Sequence, residues 1–183
     1  MKKSIIIITS IFCFNIFVFS EGFRVGGSVG YYSVPDSIYR DSYGSGNLMY
    51  GVFLSYDFMR NFEFRGEVGY FKDTGEMTLT KEEIKFSIIP VVLGVRIKLI
   101  EIEILSPYLG AGVDFYSFKE KARIGDTSDS TLGYHIEGGS YISLGQRFYI
   151  DLNLRYVKAD AKPYDETFKL GGFKVGIGGG YSF

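Results

Sequence analysis

Along most of this chain apolar and polar residues alternate with period two, the spacing of strands that carry one apolar face. Eight such segments can be marked. The first spans about Phe23–Tyr32, with Phe23, Val25, Val29 and Tyr31 on one face and Arg24, Gly26, Ser28 and Gly30 on the other. The second, about Asn47–Phe58, sets Leu48, Tyr50, Val52, Leu54, Tyr56 and Phe58 against Met49, Gly51, Phe53, Ser55 and Asp57. In the third, Phe62, Phe64, Val68 and Tyr70 alternate with Glu63, Arg65, Glu67 and Gly69. The fourth, about Ile84–Leu99, changes phase at Pro90, where a bulge is expected because proline cannot donate a ladder bond. The fifth, about Pro107–Phe118, turns Tyr108, Asp114 and Tyr116 to its polar face; the sixth, about Thr131–Leu144, turns His135, Glu137 and Tyr141. The seventh alternates Phe148, Ile150, Leu152, Leu154 and Tyr156 with Tyr149, Asp151, Asn153 and Arg155. The last runs to Phe183 with Phe173, Val175, Ile177, Tyr181 and Phe183 on one face and Lys174 among glycines on the other.

The connections alternate in length. Ser33–Gly46, Lys72–Glu83, Lys119–Ser130 and Lys158–Lys169 read as long polar loops; Met59-Arg60-Asn61, Ile100–Ser106 and Gly145-Gln146-Arg147 read as short turns. An even number of antiparallel segments with alternating long and short connections predicts an all-β, eight-stranded, up-and-down barrel. Three ionised residues on one face of the third segment cannot sit unpaired in a dry core. They suit a polar lumen, with the apolar face toward lipid. The rival is a soluble lipocalin-like barrel with its faces reversed, apolar inside and polar outside.

The start of the chain, with the glycine-rich charged face and the terminal Phe183, favours the membrane arrangement. Lys2 and Lys3 precede an apolar run from Ser4 to Phe19, and Val18 and Ser20 stand at −3 and −1 of a cut after Ser20. That is the layout of a secretion signal, residues 1–20, ahead of a barrel domain, residues 21–183. An uncleaved amino-terminal anchor is the alternative, but the run is short for a span of about 20 residues. Cys13 lies inside this run, so the exported chain is expected to lack cysteine and with it disulfides and thiolate chemistry. Removing Lys2 and Lys3 takes the formal net charge from −1 to −3, and no basic run remains, so nucleic acid is not an expected partner. Phe and Tyr bring the aromatic share to 17%, beside 24 glycines; that suits aromatic girdles and strands that must bend.

Two stretches carry a resemblance. Pro107-Tyr-Leu-Gly-Ala-Gly-Val113 is similar to a strand frequent in the small outer-membrane β-barrel superfamily of the OmpA transmembrane domain, OmpX/Ail and OmpW, and Gly180-Tyr-Ser-Phe183 resembles its closing strand. The resemblance covers the whole of 21–183. It implies the outer membrane of a Gram-negative-type bacterium, contact with outer-membrane lipid, and recognition of Val175, Ile177, Tyr181 and Phe183 by the barrel-assembly machinery. The peptidoglycan-binding domain of full-length OmpA has no counterpart here, so cell-wall anchoring is not expected.

Candidate chemistry comes from the polar faces. Arg24, Arg65, Arg96, Arg155 and Lys174 are the expected inward cations, and Asp57, Glu63, Glu67, Asp114, Glu137 and Asp151 the expected inward anions. The signs nearly balance, and an eight-stranded interior is wide enough only for side chains, so the expectation is a lumen plugged by paired charges. A narrow ion path through the same residues is the alternative. His135 and Glu137 share a face, which raises a lipid-modifying enzyme such as the lipid A deacylases; those use a His-x-Ser pair, and here the pair is His-x-Glu. Asp126 and Asp129 offer oxygen atoms without the spacing of a calcium loop, so no metal and no cofactor are expected. Tyr31, Tyr32, Tyr39 and Tyr43 in or beside the first long loop are candidates for a surface ligand, or for interfacial anchoring and loop packing. A structural or adhesion-like surface role is therefore the leading expectation, ahead of a small passive channel.

Overall fold

Alternation becomes a closed wall in the computed structural model, which describes residues 22–76, 83–100, 102–122, 125–161 and 168–183. The elements are β1 (Phe23–Ser33), α1 (Ser37–Tyr43), β2 (Gly46–Met59), β3 (Phe62–Glu76), β4 (Glu83–Lys98), β5 (Leu105–Ala122), β6 (Gly125–Leu144), β7 (Phe148–Ala161), β8 (Phe168–Lys169) and β9 (Gly172–Ser182). From β1 to β7 each strand pairs antiparallel with the next, and β9 lies between β7 and β1 and closes the ring. β8 adds only two pairs to the end of β7. The result is an eight-stave up-and-down barrel of β1–β7 and β9. The proposed signal, residues 1–20, lies outside the described residues.

The faces are those of a membrane barrel. Leu93, Leu132, Ile136 and Val175 are among the most exposed apolar residues, while Glu63, Arg96 and Asp114 are fully buried. The charged parity therefore points inward, and the reversed lipocalin arrangement is excluded.

Pro90 does not make a bulge. The ladder passes from Val68↔Val91 to Phe71↔Ile88 in one register, and Ile88↔Phe118, Pro90↔Tyr116 and Val91↔Phe115 keep one register on the other side. Pro90 points inward against Gly69, where a Cβ would meet its ring at 2.9 Å. The change of phase has another cause: Phe86 and Ile88 face into the barrel and are buried there. The irregularity in the wall lies between Asp57 and Met59 instead.

In three of the expected long loops every described residue is strand. β3 continues to Glu76, β5 and β6 continue to the pair Ala122↔Gly125, and β7 continues to Ala161. Polarity ended these segments in the sequence. Beyond the lipid, however, a strand needs only its ladder bonds and no apolar face. The fourth, Ser33–Gly46, contains α1.

Candidate functional site in the barrel interior

Side chains from all eight staves meet in the lumen in layers. At the short-turn end Arg24 forms ion pairs with Asp57 and, at 2.7 Å, with Glu63. Lys98 donates to the same Asp57 at 2.8 Å. Lys98 was missed as a network member although it sits two residues from Arg96 on the same parity.

Above this lies the most connected layer. Arg96 donates from Nε and Nη2 to the two oxygens of Glu137, at 2.7 and 3.1 Å, and from Nη1 to Tyr141 at 2.6 Å and Asp151 at 3.1 Å. Tyr141 in turn donates to Glu63 at 2.7 Å, and Tyr108 donates to Asp151 at 2.7 Å. Arg155 reaches Glu137 at 3.0 Å and Glu67 at 3.2 Å, and Lys174 reaches Glu67 at 2.5 Å. Arg65 lies 3.4 Å from Asp151 and 3.5 Å from Glu67, with its guanidinium 3.6 Å above the centre of the Phe53 ring. Asp114 accepts from His135 Nδ1 at 2.8 Å.

All eleven charged positions read from the sequence therefore point into one lumen. With Lys98 they make six cations, Arg24, Arg65, Arg96, Lys98, Arg155 and Lys174, against six carboxylates, Asp57, Glu63, Glu67, Asp114, Glu137 and Asp151, among the described residues. Some pairs follow the wall and others cross the barrel: Arg96 on β4 and Glu137 on β6 meet over Gly110 of β5, whereas Arg96 also reaches Asp151 on β7 and Glu67 on β3 reaches Lys174 on β9. Buried charges of this kind are tolerable only when paired and hydrogen-bonded.

His135 and Glu137 share a face but work apart. Glu137 belongs to the arginines, and His135 belongs to Asp114, its ring lying over Gly94 and Gly112. His135 is buried in the lumen, away from lipid. Asp129 on β6 accepts from the Ser130 amide at 2.7 Å, while the Asp126 side chain lies outside those described.

The outer half of the lumen is apolar. Tyr32, Met49, Phe71, Phe86, Ile88, Tyr116, Phe118, Val157 and Leu170 form one buried cluster. Over it lies α1, and the loop tyrosines hold it there rather than face solvent. Tyr39 is buried, donates to Asp73 at 2.6 Å, stacks on Tyr43 and meets the edge of Phe86. Asp36 caps α1 by accepting from the Tyr39 amide at 3.3 Å, and its other oxygen accepts from the Lys169 amide at 3.0 Å. Tyr32 points inward and donates to the Leu170 carbonyl. Of the four tyrosines proposed for a surface ligand or for anchoring, Tyr31 alone is exposed, bonded to Ser45 at 2.8 Å. The Asp73 contact was legible in principle, since Asp73 continues the parity of Glu67.

Burial pushes the Tyr39 phenol upward, and the hydrogen bond to Asp73 and its charge add to the shift. In a released α1 the phenol would titrate near its ordinary value of about 10. The contact therefore contributes stability below that pH and loses it as the pH rises further. Trypsin cleavage after the exposed Arg40 is expected to accelerate above pH about 10 in the native chain and to be fast already at neutral pH in Tyr39→Phe. Equal protection of the two chains at both pH values would remove the lid contact.

On the outward face, Val175, Ile177 and Phe183 are exposed and Tyr181 accepts a hydrogen bond from Arg147 at 2.6 Å. No curated protein sequence matches the chain. Solved structures do. Neisserial surface protein A is 13% identical with a TM-score of 0.68, over 88% of this chain and 97% of that one. OprG, an outer membrane protein of Pseudomonas aeruginosa, is 16% identical with a TM-score of 0.69, over 90% of this chain and 96% of its own. Ail, the attachment invasion locus protein of Yersinia pestis, solved with the heparin analogue sucrose octasulfate, is 21% identical with a TM-score of 0.53, over 90% of this chain and 100% of its own. At these identities the likeness is one of fold. The family model described as outer membrane protein beta-barrel domain matches residues 18–183, and the chain belongs to that family.

Proposed function

We propose that this protein is a closed outer-membrane barrel with a structural and surface-interaction role, exported through a cleaved signal and not a channel. The observation that carries the reading is the stacking of two dissimilar plugs across one lumen. A hydrated ion meets a charged layer laced by ion pairs from one end and an aromatic layer under α1 from the other. Permeation would have to break buried ion pairs and also cross a dry apolar zone, two barriers of different chemistry.

Bacterial outer-membrane barrels carry short turns on the periplasmic side and longer loops outside, which directs α1 and the β5–β6 hairpin to the cell surface. Any partner would meet those extended staves, and the outward face of β9 remains the proposed signal for the assembly machinery. No reaction is proposed for His135.

Purified protein refolded into planar bilayers is expected to give no discrete conductance steps. Steady single-channel openings at modest voltage would overturn the closed-lumen reading and return the passive channel.

A further inference from the structure

Among the eight staves, β1 and β9 are the neighbours that no single connection joins, because they stand first and last in chain order. A turn fixes register in a hairpin, so here side chains must fix it. The inward face of the seam offers few: Gly26 faces Gly180, Ser28 faces Gly178 and Gly30 faces Gly176. A slide of one residue would turn the apolar face of β9 into the lumen. A slide of two keeps both faces, and its two directions differ. Toward the long-loop end, Ser182 would take the place of Gly180, where a Cβ meets the Tyr149 hydroxyl at 2.5 Å and the Val25 carbonyl at 2.8 Å. Toward the short-turn end, Lys174 would take the place of Gly176, where a Cβ comes no nearer than 3.2 Å to the Asn153 side chain and the Val29 carbonyl. The wall therefore opposes the first slide far more than the second.

We propose that Lys174 and Arg147 pin β9 against this second slide when the barrel closes. Lys174 is the single charge on β9, and its Nζ lies 2.5 Å from Glu67 on β3, across the lumen. A slide of two residues would carry it about 6.6 Å along the wall and leave Gly172 in its place. Arg147, in the turn between β6 and β7, holds the other end of β9. Its carbonyl accepts from the Ser182 amide at 2.8 Å, and its guanidinium donates to the Tyr181 hydroxyl at 2.6 Å. Any residue's amide could serve the carbonyl, so the phenol is the part that reads register: after the slide Gly179 would stand there, with nothing to offer the guanidinium. One pin lies in the lumen and the other on the outward rim, and the slide must break both. The Tyr32 bond to the Leu170 carbonyl holds the link ahead of β9 and adds to them. Closure two residues out of register would also change the stagger, and with it the shear of the barrel. The pins thus help to decide which charges meet across the lumen.

The test uses the full barrel refolded in detergent micelles, with the seam read by NMR from contacts between amide protons of facing residues. The native chain is expected to give one set of peaks, with Val29 against Ile177. Lys174→Gln combined with Arg147→Gln should add a second set in which Val29 lies against Val175, at least ~10-fold more populated than in the native chain, the scale of one lost charge-assisted hydrogen bond. Glu67 keeps Arg155 and Arg65 in that variant, so no carboxylate is stranded. Arg147→Gln alone, a change of an exposed side chain, should raise the second set by a smaller factor. Arg147→Lys keeps a charged donor and should leave it at the native level. Should the double variant not refold, the comparison of Arg147→Gln with Arg147→Lys decides, and equal spectra there would overturn the proposal. So would a double variant that refolds with Val29 against Ile177 alone, or one that places Val29 against Gly179.

Discussion

Replacing Arg96 by methionine should lower the unfolding free energy of the barrel by about 3–5 kcal/mol, the range for removing one partner of a buried ion pair. Arg96 is fully buried and serves three acceptors at once: Glu137, Asp151 and the Tyr141 oxygen. Methionine has a similar reach and fills the space, so the loss would come from charge and not from a cavity. Glu137 would keep Arg155 at 3.0 Å, but Asp151 would be left with Tyr108 and a long contact to Arg65. Adding Glu137→Leu should restore part of the stability, because an apolar pair of similar volume often replaces a buried ion pair at little cost. Urea unfolding from lipid vesicles, read by the shift between folded and heat-denatured mobility on a gel, measures both chains. A loss under about 1 kcal/mol, the value of an exposed pair, would show that water reaches the network and that the plug is not dry.

Leu93→Arg tests the other face. The outward residues of β4 from Ile89 to Ile97, and Leu99 just past its end, form an apolar row with Leu93 near its middle and 59% exposed. An arginine at the bilayer midplane of such a barrel costs about 2–4 kcal/mol, and near the interface about 0–1 kcal/mol. Ile104→Arg, in the short turn before β5, should therefore be nearly silent in the same unfolding experiment. The contrast between the two positions is the signature of lipid. If both changes were silent, water and not hydrocarbon would bathe this face. The neighbours suit the change: Gly66, paired with Leu93 on β3, carries no side chain on the outward face, and Leu93 itself packs over it, so a longer side chain here extends toward lipid.

These expectations rest on features with different legibility in the sequence. The parity of every network residue could be read locally, because a strand sends successive side chains to opposite faces whatever it pairs with. Arg24, Glu63, Glu67 and Lys174 were placed inward by that rule alone. Partners were not legible. Arg96 meets Asp151 because closure and stagger bring β4 across from β7, and nothing in either segment encodes that distance. The expectation at Pro90 failed for a related reason. A run of apolar residues on the inward parity, Phe86 and Ile88, looks like a shift of register when the lumen is taken to be polar throughout.

The loops mark the same boundary. Tyr39 and Asp73 are 34 residues apart, and their hydrogen bond exists because α1 folds back over the mouth of a barrel already closed. What the sequence determined by itself is what short-range geometry dictates: eight strands, their two faces, and which charges must leave the lipid. The tertiary structure alone decided which charges pair across the lumen and that an aromatic layer and a helical lid close its outer half. Those outcomes depend on the ring of staves as a whole, where closure sets every distance between residues far apart in the chain.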